Sequence, residues 1–415
     1  MTEGAYRPYE DLSFMHEASQ NFLGDFEHDF VTFTGWCINN YINEHNHREN
    51  TGYSPESYGL HSSGNITKPS SFDLNAHVKK FIEPKREEWC WLYDLLEDFD
   101  SKNTLINILA YRCLGWRYVP MPLDNKDFWS TLEELESDTN KTLEDSLIDI
   151  GLFDTQLSNF NLEALGHKLN ILASPNGIFT EILYSQYNYR GNDIKITPVD
   201  GDVVLDCGAC FGATSLFLAS QVGESGKVFS FEFFPKNIET FKQNLKSNKL
   251  FEKKITLIEA PVWSIDHVPM EVRGVGPATR VLLLNKGVRV ERWCKKTLDT
   301  LLAALFPKYK KRYTSSYRFI VNAVSIDCEY QRQSMKSVDF IKMDIEGSEL
   351  SALKGAKATI LKHQPILAIC VYHNLKDFYE IPKFISELKI GYQFYLQHST
   401  VHGDETVLFA YVPNK

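Results

Sequence analysis

The sequence predicts a doubly wound α/β fold that ends in an antiparallel hairpin and is preceded by a smaller, mainly helical region. Three observations carry this expectation. From about residue 179 short apolar runs alternate with helical patterns, which implies a parallel sheet with helices on both faces. The segment "YQFYLQHSTVHGDETVLFAYVP" reads as two strands about a Gly-Asp turn. At 415 residues the chain exceeds what one core usually fills, so segments 1–88, 89–178 and 179–415 are expected as an N-terminal stretch, a helical accessory region and the α/β domain.

Residues 1 to about 85 are aromatic-rich but polar, and "NEHNHRENTGYSPESYGLHSSGN" reads as loop. His45 and His47 lie there without further ligands at zinc-like spacing, so a solvated loop is expected rather than a metal site. From Trp89 the pattern is helical: Trp91, Leu92, Leu95 and Leu96, then Leu105, Ile108, Leu109 and Cys113, recur at three-to-four spacing. "DFDS" between them supplies a turn, with Asp100 or Ser101 expected to cap the second helix. Strands are then expected at "DVVLDC", "KVFSFEF", "KITLIEAPVW", "SVDFIKMDIEG" and "PILAICVYH". Helices follow at "FGATSLFLASQVG", "PKNIETFKQNLKSNK" behind Pro235, "SELSALKGAKATILKHQ" and "IPKFISELKIG".

Composition narrows the class. The chain is 43% hydrophobic and 24% charged, as in globular proteins, and its net charge of −10 argues against a nucleic-acid partner. No basic region leads into an apolar run near residue 1, and no window of 18 uninterrupted apolar residues occurs. Neither a secretory leader nor a transmembrane span is therefore expected, and eight scattered cysteines fit a reduced, cytoplasmic protein. One segment, about 284–320, breaks the acidic trend: between Lys286 and Arg318 ten Lys/Arg face only Glu291 and Asp299. It reads as a solvated insertion, or as a surface for phosphate groups or, with "LDTLLAALF" beside it, for peripheral contact with an anionic membrane.

The informative stretch is "DGDVVLDCGACFGATSLFLASQVG". In an open parallel sheet ligands bind beyond the carboxyl ends of the strands, and Asp206 to Gly212 sits at such an end and opens a helix. Gly208 suits a tight turn, and Gly212 suits close packing of the helix start against a ligand. Cys210 stands where a dinucleotide loop needs a glycine to admit a pyrophosphate. An acid opening the loop, Asp206, instead suits a cationic cofactor such as S-adenosylmethionine. Glu232 ends the next strand, where a carboxylate can accept both ribose hydroxyls. Cys207 and Cys210 also form C-x-x-C, but a redox or zinc reading leaves Asp206, the glycines and Glu232 unexplained.

Three segments, "GDVVLDCGACFGATSLFLA", "GKVFSFEFFPKNIETFKQNLKSN" and "VDFIKMDIEGSELSALKGA", resemble the FkbM-type S-adenosylmethionine-dependent O-methyltransferases. "QPILAICVYHNLKDFYEIPKFI", "ETVLFAYVP" and the helical "LLEDFDSKNTLINILAYRCLGW" match as well, so the resemblance runs from about Trp89 onward. It implies a class I methyltransferase fold and methyl transfer to a hydroxyl, often of a sugar or polyketide. Position by position, Asp206, Gly208, Ala209 and Gly212 would form the cofactor loop, with Glu232 on the ribose. Gln186 and Tyr187 in "YSQYNY" would cover the cofactor.

The expected function is O-methylation of a carbohydrate, either a nucleotide sugar or a surface-glycan sugar. Methylation of a non-sugar natural product or nucleotide derivative, and a scaffold without turnover, are the alternatives. Asp344 and Glu346 end a strand, and i, i+2 alternation would turn both into one cleft. His373, ending the next strand, suits a general base oriented by Glu346 or Asp377, with His398 a rival. The same Asp/Glu/His set, Asp344 and Glu346 first, could instead hold a divalent metal. Aromatics in the first 85 residues suit either a cap on the acceptor pocket or a homo-oligomer contact.

Overall fold

The computed structural model describes residues 19–40, 74–116, 118–137, 157–191, 194–274, 279–283 and 317–413. His45, His47 and the basic insert, apart from the strands at its two ends, lie outside the described residues.

The stretch read as loop, 43–65, lies outside the described residues, and on either side of it stand two helices that the sequence reading did not place, α1 (Phe26–Asn40) and α2 (Leu74–Ile82). In α1 the signal is a narrow stripe, Phe26, Phe30 and Phe33, buried at helical spacing among polar neighbours. The expected helical pair is α3 (Arg86–Leu95) and α4 (Phe99–Leu114), followed by α5 (Lys126–Ser137). The cap of α4 is Asp98, not Asp100 or Ser101: its carboxylate accepts from Ser101 N at 2.9 Å. Ser101 Oγ is used elsewhere, accepting from Leu396 N at 2.9 Å. Two ribbons come next, β1 (Ser158–Asn161) with β2 (Asn170–Ala173), and β3 (Tyr189–Arg190) with β4 (Lys195–Ile196).

The main sheet then follows the expected order. It runs through β5 (Val203–Cys207), α6 (Ala213–Gln221), β6 (Lys227–Phe231), α7 (Pro235–Ser247) and β7 (Ile255–Ile258). A separate antiparallel sheet, β8 (Val268–Gly274), β9 (Arg280–Leu283) and β10 (Tyr317–Ala323), flanks the insert, and its pairing was not legible in the sequence. The chain returns through α8 (Ile326–Arg332), β11 (Phe340–Met343), α9 (Glu349–Lys354), α10 (Lys357–His363), β12 (Ile366–Cys370) and α11 (Asp377–Glu387). It finishes with β13 (Gln393–His398) and β14 (Thr406–Tyr411). The helix expected over 348–364 breaks at Gly355, where a Cβ would overlap the Trp263 carbonyl. Helix α11 begins about a turn earlier than expected and keeps Pro382 inside it.

Across the main sheet the order is β13-β14-β12-β11-β5-β6-β7. Strands β7, β6, β5, β11 and β12 are parallel, and β14 runs antiparallel to both β12 and β13. The hairpin is therefore not a simple antiparallel edge, because the reversed strand is internal and β13 forms the edge. This arrangement, with helices on both faces, is the doubly wound α/β fold that the sequence predicts.

Each sheet face has its own apolar layer. One joins Phe30, Trp89, Leu105 and Leu109 to Ile341, Met343, Leu367 and Ile369, so the N-terminal helices share a core with the sheet. The other joins Val204, Phe340 and Ala368 to Ile171, Ile178, Leu216 and Phe241. Each such side chain contributes roughly 1.5–3 kcal/mol through burial. Helix α4 lies beside β13, fastened by Glu97 N donating to Phe394 O at 3.0 Å as well as by Ser101. Among the described residues no helix is long and apolar enough to cross a membrane.

The adjacent central strands β5 and β11 carry a buried pair of opposite charge. Lys342 in β11 is 1% exposed, and its Nζ lies 3.0 Å from Asp206 Oδ1 in β5, itself fully buried. Asp206 Oδ2 accepts from Thr214 Oγ1 at 2.8 Å and Ser215 Oγ at 2.6 Å, which ties β5 to the start of α6. Burial works against the lysine charge, but Asp206 and then Asp344 outweigh it and hold the ammonium in place. Lys342→Met would strand Asp206 without a counter-ion and should cost roughly 3–5 kcal/mol in chemical denaturation. The double variant Asp206→Asn/Lys342→Met should recover most of that loss; equal destabilisation of single and double variants would show that the pair is not coupled.

Candidate functional site

A cleft opens where the strand order reverses, beyond the carboxyl ends of β5, β6, β11 and β12. Its floor is the loop after β5. Gly208 and Gly212 take φ of 83° and 84°, and Cys210 takes 47°. Gly208 N and Ala209 N both donate to Phe231 O, at 3.1 and 3.0 Å, clamping the loop to the end of β6. A Cβ at Gly208 would overlap the Asp344 carbonyl oxygen, so glycine lets the loop lie against the end of β11. At Gly212 a Cβ would strike the Phe241 ring of α7. The second glycine thus serves helix packing rather than close approach to a ligand.

The sequence-derived cofactor residues separate into two groups. Gly208, Glu232 and Tyr187 line the cleft. Asp206, Ala209, Gly212 and Gln186 stand behind its wall. Glu232 Oε1 accepts from Phe233 N and Phe234 N, both at 2.7 Å, and Oε2 lies 3.3 Å from Asn237 Nδ2. Burial raises its carboxyl, opposed by those same donors. Gln186 reaches the site indirectly, donating to Glu405 Oε2 at 3.2 Å. Asp206 is spent on Lys342, Thr214 and Ser215 and has no face toward the cleft.

Cys207 and Cys210 are both free thiols. Burial, then Asp206, raises Cys207; burial, then Glu232 and Glu181, raises Cys210. Neither offers a thiolate, so the redox reading loses its nucleophile.

On the other side of the cleft stand Asp344 and Glu346. Strand alternation is not what pairs them, since β11 stops at Met343 and Glu346 sits in a turn with φ of 58°. Asp344 accepts from Tyr187 at 2.9 Å and Tyr372 at 3.1 Å. Burial pushes its carboxyl up, but Lys342, His373 and the two hydroxyls outweigh this and hold it below the usual range. Glu346 rises to about 7, because burial and then Asp344 exceed the help of His373 and of Arg280, 3.5 Å away.

His373 lies behind these acids, its side chain 4% exposed. Its Nδ1 is 3.1 Å from Glu349 Oε1, and its Nε2 is 3.5 Å from Asp344 and 3.8 Å from Glu346. Burial opposes its charge, yet Glu349, Asp344 and Glu346 carry it to about 10, so at neutral pH it is an imidazolium. The residue that orients it is Glu349 in the first turn of α9, not Asp377, whose carboxylate accepts from Asn374. His398 hydrogen-bonds Thr406 and is lowered to about 3 by burial and then His402, so it remains neutral and outside the cleft.

Several functional groups were missed by sequence reasoning. Lys342 had a readable signal, a lysine inside the apolar run "DFIKM". Glu349 lies three residues past Glu346, and Tyr372 adjoins His373. Glu181 and Glu405 had none, because their placement depends on a π-helix over Ile178–Leu183 and on the C-terminal hairpin. Burial lifts Glu181 to about 7, with Lys342 lowering it and Asp206 and Asp344 raising it. Glu405 is lifted well above the usual range by burial and then Asp344. The Tyr372 hydroxyl lies 3.1 Å from Asp344 and 3.2 Å from Glu405, and its single proton can go to only one of these two acceptors at a time.

Residues 206–394 match the family model described as the methyltransferase FkbM domain. No curated protein matches the chain. Among solved structures the fold is similar to that of methyltransferase FkbM from Methylobacillus flagellatus, at 19% identity and a TM-score of 0.46, covering 81% of this chain. The chain spans only 61% of that protein's length. Aeropyrum pernix fibrillarin, solved with bound S-adenosyl-L-methionine, is 12% identical with a TM-score of 0.27, over 52% of this chain and 69% of that one. An S-adenosylmethionine-dependent O-methyltransferase from Thermotoga maritima is 13% identical with a TM-score of 0.29, over 52% and 62%. The family match begins on Asp206 at the end of β5 and takes in Glu232, Asp344, Glu346 and His373, so residues 206–394 are similar to the methyltransferase FkbM domain along both walls of the cleft.

Proposed function

We propose that the chain is an S-adenosylmethionine-dependent O-methyltransferase acting on a carbohydrate hydroxyl. The observation that supports the cofactor is the charge of the cleft. Glu181, Glu232, Asp344, Glu346 and Glu405 line it, while the one cation lining it among the described residues, Lys342, is already paired with Asp206. At the cofactor end, beside Glu181 and Glu232, such a lining disfavours a pyrophosphate and suits a nucleoside with a sulfonium and an ammonium. Glu232, with Oε1 committed to backbone N–H groups, has at Oε2, beside its hydrogen bond from Asn237, a remaining lone pair for ribose hydroxyls.

When bound, S-adenosylmethionine supplies a methyl carbon already activated by its sulfonium. The chain's own tasks are then alignment, exclusion of water and removal of the acceptor proton. A sugar hydroxyl is a weak nucleophile, so a base near neutrality helps. His373 is protonated and one layer back, and Asp344 is held as a weakly basic anion. Glu346 lines the cleft at about 7 and takes the proton, while His373 and Asp344 position it. Carboxylates and tyrosine hydroxyls along one wall also offer the hydrogen-bond partners a polyhydroxylated acceptor requires.

A divalent metal is not needed for this role. Three ligand atoms converge in two groups, Asp344–Glu349–His373 and Asp344–Cys370–Glu405, and Glu346 belongs to neither. A metal at either group would first have to displace protons, from His373 in the first and from Cys370 and Glu405, whose proton affinities burial raises, in the second.

Calorimetric titration with S-adenosylhomocysteine should show binding by wild type, a loss of about 10- to 100-fold in Glu232→Ala, and no change with chelator. No binding by folded wild type would remove the cofactor assignment, and a chelator effect would restore the metal. With an acceptor found by screening nucleotide sugars, Glu346→Gln should lower turnover about 10²- to 10⁴-fold. The base must be ionised, so wild-type rate should climb with pH and level above about 7. A variant that kept this limb would place the base elsewhere.

A further inference from the structure

We infer that Glu181 receives the α-ammonium group at the amino-acid end of the methyl donor; this rests on the S-adenosylmethionine reading above. The sequence offers Asp206 for that role, but the structure has closed Asp206 off behind Lys342, Thr214 and Ser215. The α-ammonium of such a ligand needs another acid.

The remaining carboxylates of the cleft are committed to different degrees. Glu232 accepts two backbone N–H groups, and Asp344 accepts two tyrosine hydroxyls. Glu405 shares Gln186 and Tyr372, and Glu346 faces Arg280 and His373. Glu181 lines the same cleft, yet no described residue donates a hydrogen bond to it. An acid poor in donors, in a pocket whose one lysine among the described residues is already paired, is a site for an incoming ammonium.

Its setting fits that use. Glu181 projects from a π-helix, a wide turn that is favoured at functional sites. Its Oε1 lies beside Gly177, where an added Cβ would come within 3.7 Å, and Ser174 Oγ caps the turn there. Glu181, Cys210 and Glu232 all line this one cleft, a span that a single ligand can bridge. The nucleoside end then belongs to Glu232 and the amino-acid end to Glu181.

Two ligands separate those ends. S-adenosylhomocysteine has both, whereas 5′-methylthioadenosine keeps the adenine, ribose and thioether and lacks the amino acid. In calorimetry Glu181→Gln should weaken S-adenosylhomocysteine about tenfold or more and leave 5′-methylthioadenosine unchanged. Retained 5′-methylthioadenosine binding also reports a folded cleft. Equal S-adenosylhomocysteine affinity in wild type and variant would overturn the inference, as would a parallel loss of both ligands, which would make Glu181 a general support of the cleft. If wild type bound neither ligand, the cofactor reading itself would fall and take this assignment with it, a result distinct from the other two.

Discussion

The site depends on a single buried charge, the ammonium of Lys342. It stands between the two strands at which the sheet reverses direction, and it joins groups that otherwise have no reason to meet. It pairs with Asp206 of β5, donates to Gly208 O at 2.7 Å, and lies 5.0 Å from the centre of the Tyr187 ring. Asp344, just past the end of its own strand, draws its charge from the same source. Loop position, cofactor wall and acidic wall are therefore set together. Replacing such a pair by apolar residues often leaves stability unchanged, so what it secures here is geometry rather than free energy.

Around that charge the cleft sorts its protons by environment. Two carboxyls, Glu181 and Glu346, are poised near neutrality; Asp344 is held ionised; Glu405 is held neutral. His373 provides the balancing positive charge from behind the wall, fixed by Glu349. A histidine at a strand end suggests a base by its ordinary chemistry, but three surrounding acids turn it into an electrostatic support.

How much of this was legible follows from which interactions are local. The parallel strands, the loop glycines and Glu232 were readable because hydrophobic periodicity and a strand-end position are properties of a few adjacent residues. The roles were less readable. Gly208 and Gly212 read alike in sequence, yet one meets the Asp344 carbonyl and the other the Phe241 ring, partners more than a hundred and almost thirty residues away. Helix α1 was hidden because its polar surroundings outweigh three phenylalanines, and its stability comes from a sheet encoded three hundred residues later. Glu181 and Glu405 could not be found at all, since a π-helical register and a strand insertion leave no local trace.

That insertion bears on how the molecule is assembled. The last strand in sequence, β14, occupies an interior slot between β12 and β13. Until it arrives, both neighbours present unpaired backbone edges, of the kind that recruit other chains. It also delivers Glu405 to a cleft whose opposite wall begins near residue 173. Completion of the sheet and completion of the cleft are thus one event, and during synthesis that event waits for the carboxy-terminal hairpin, leaving a long interval in which the nascent chain has most of its core but two exposed strand edges.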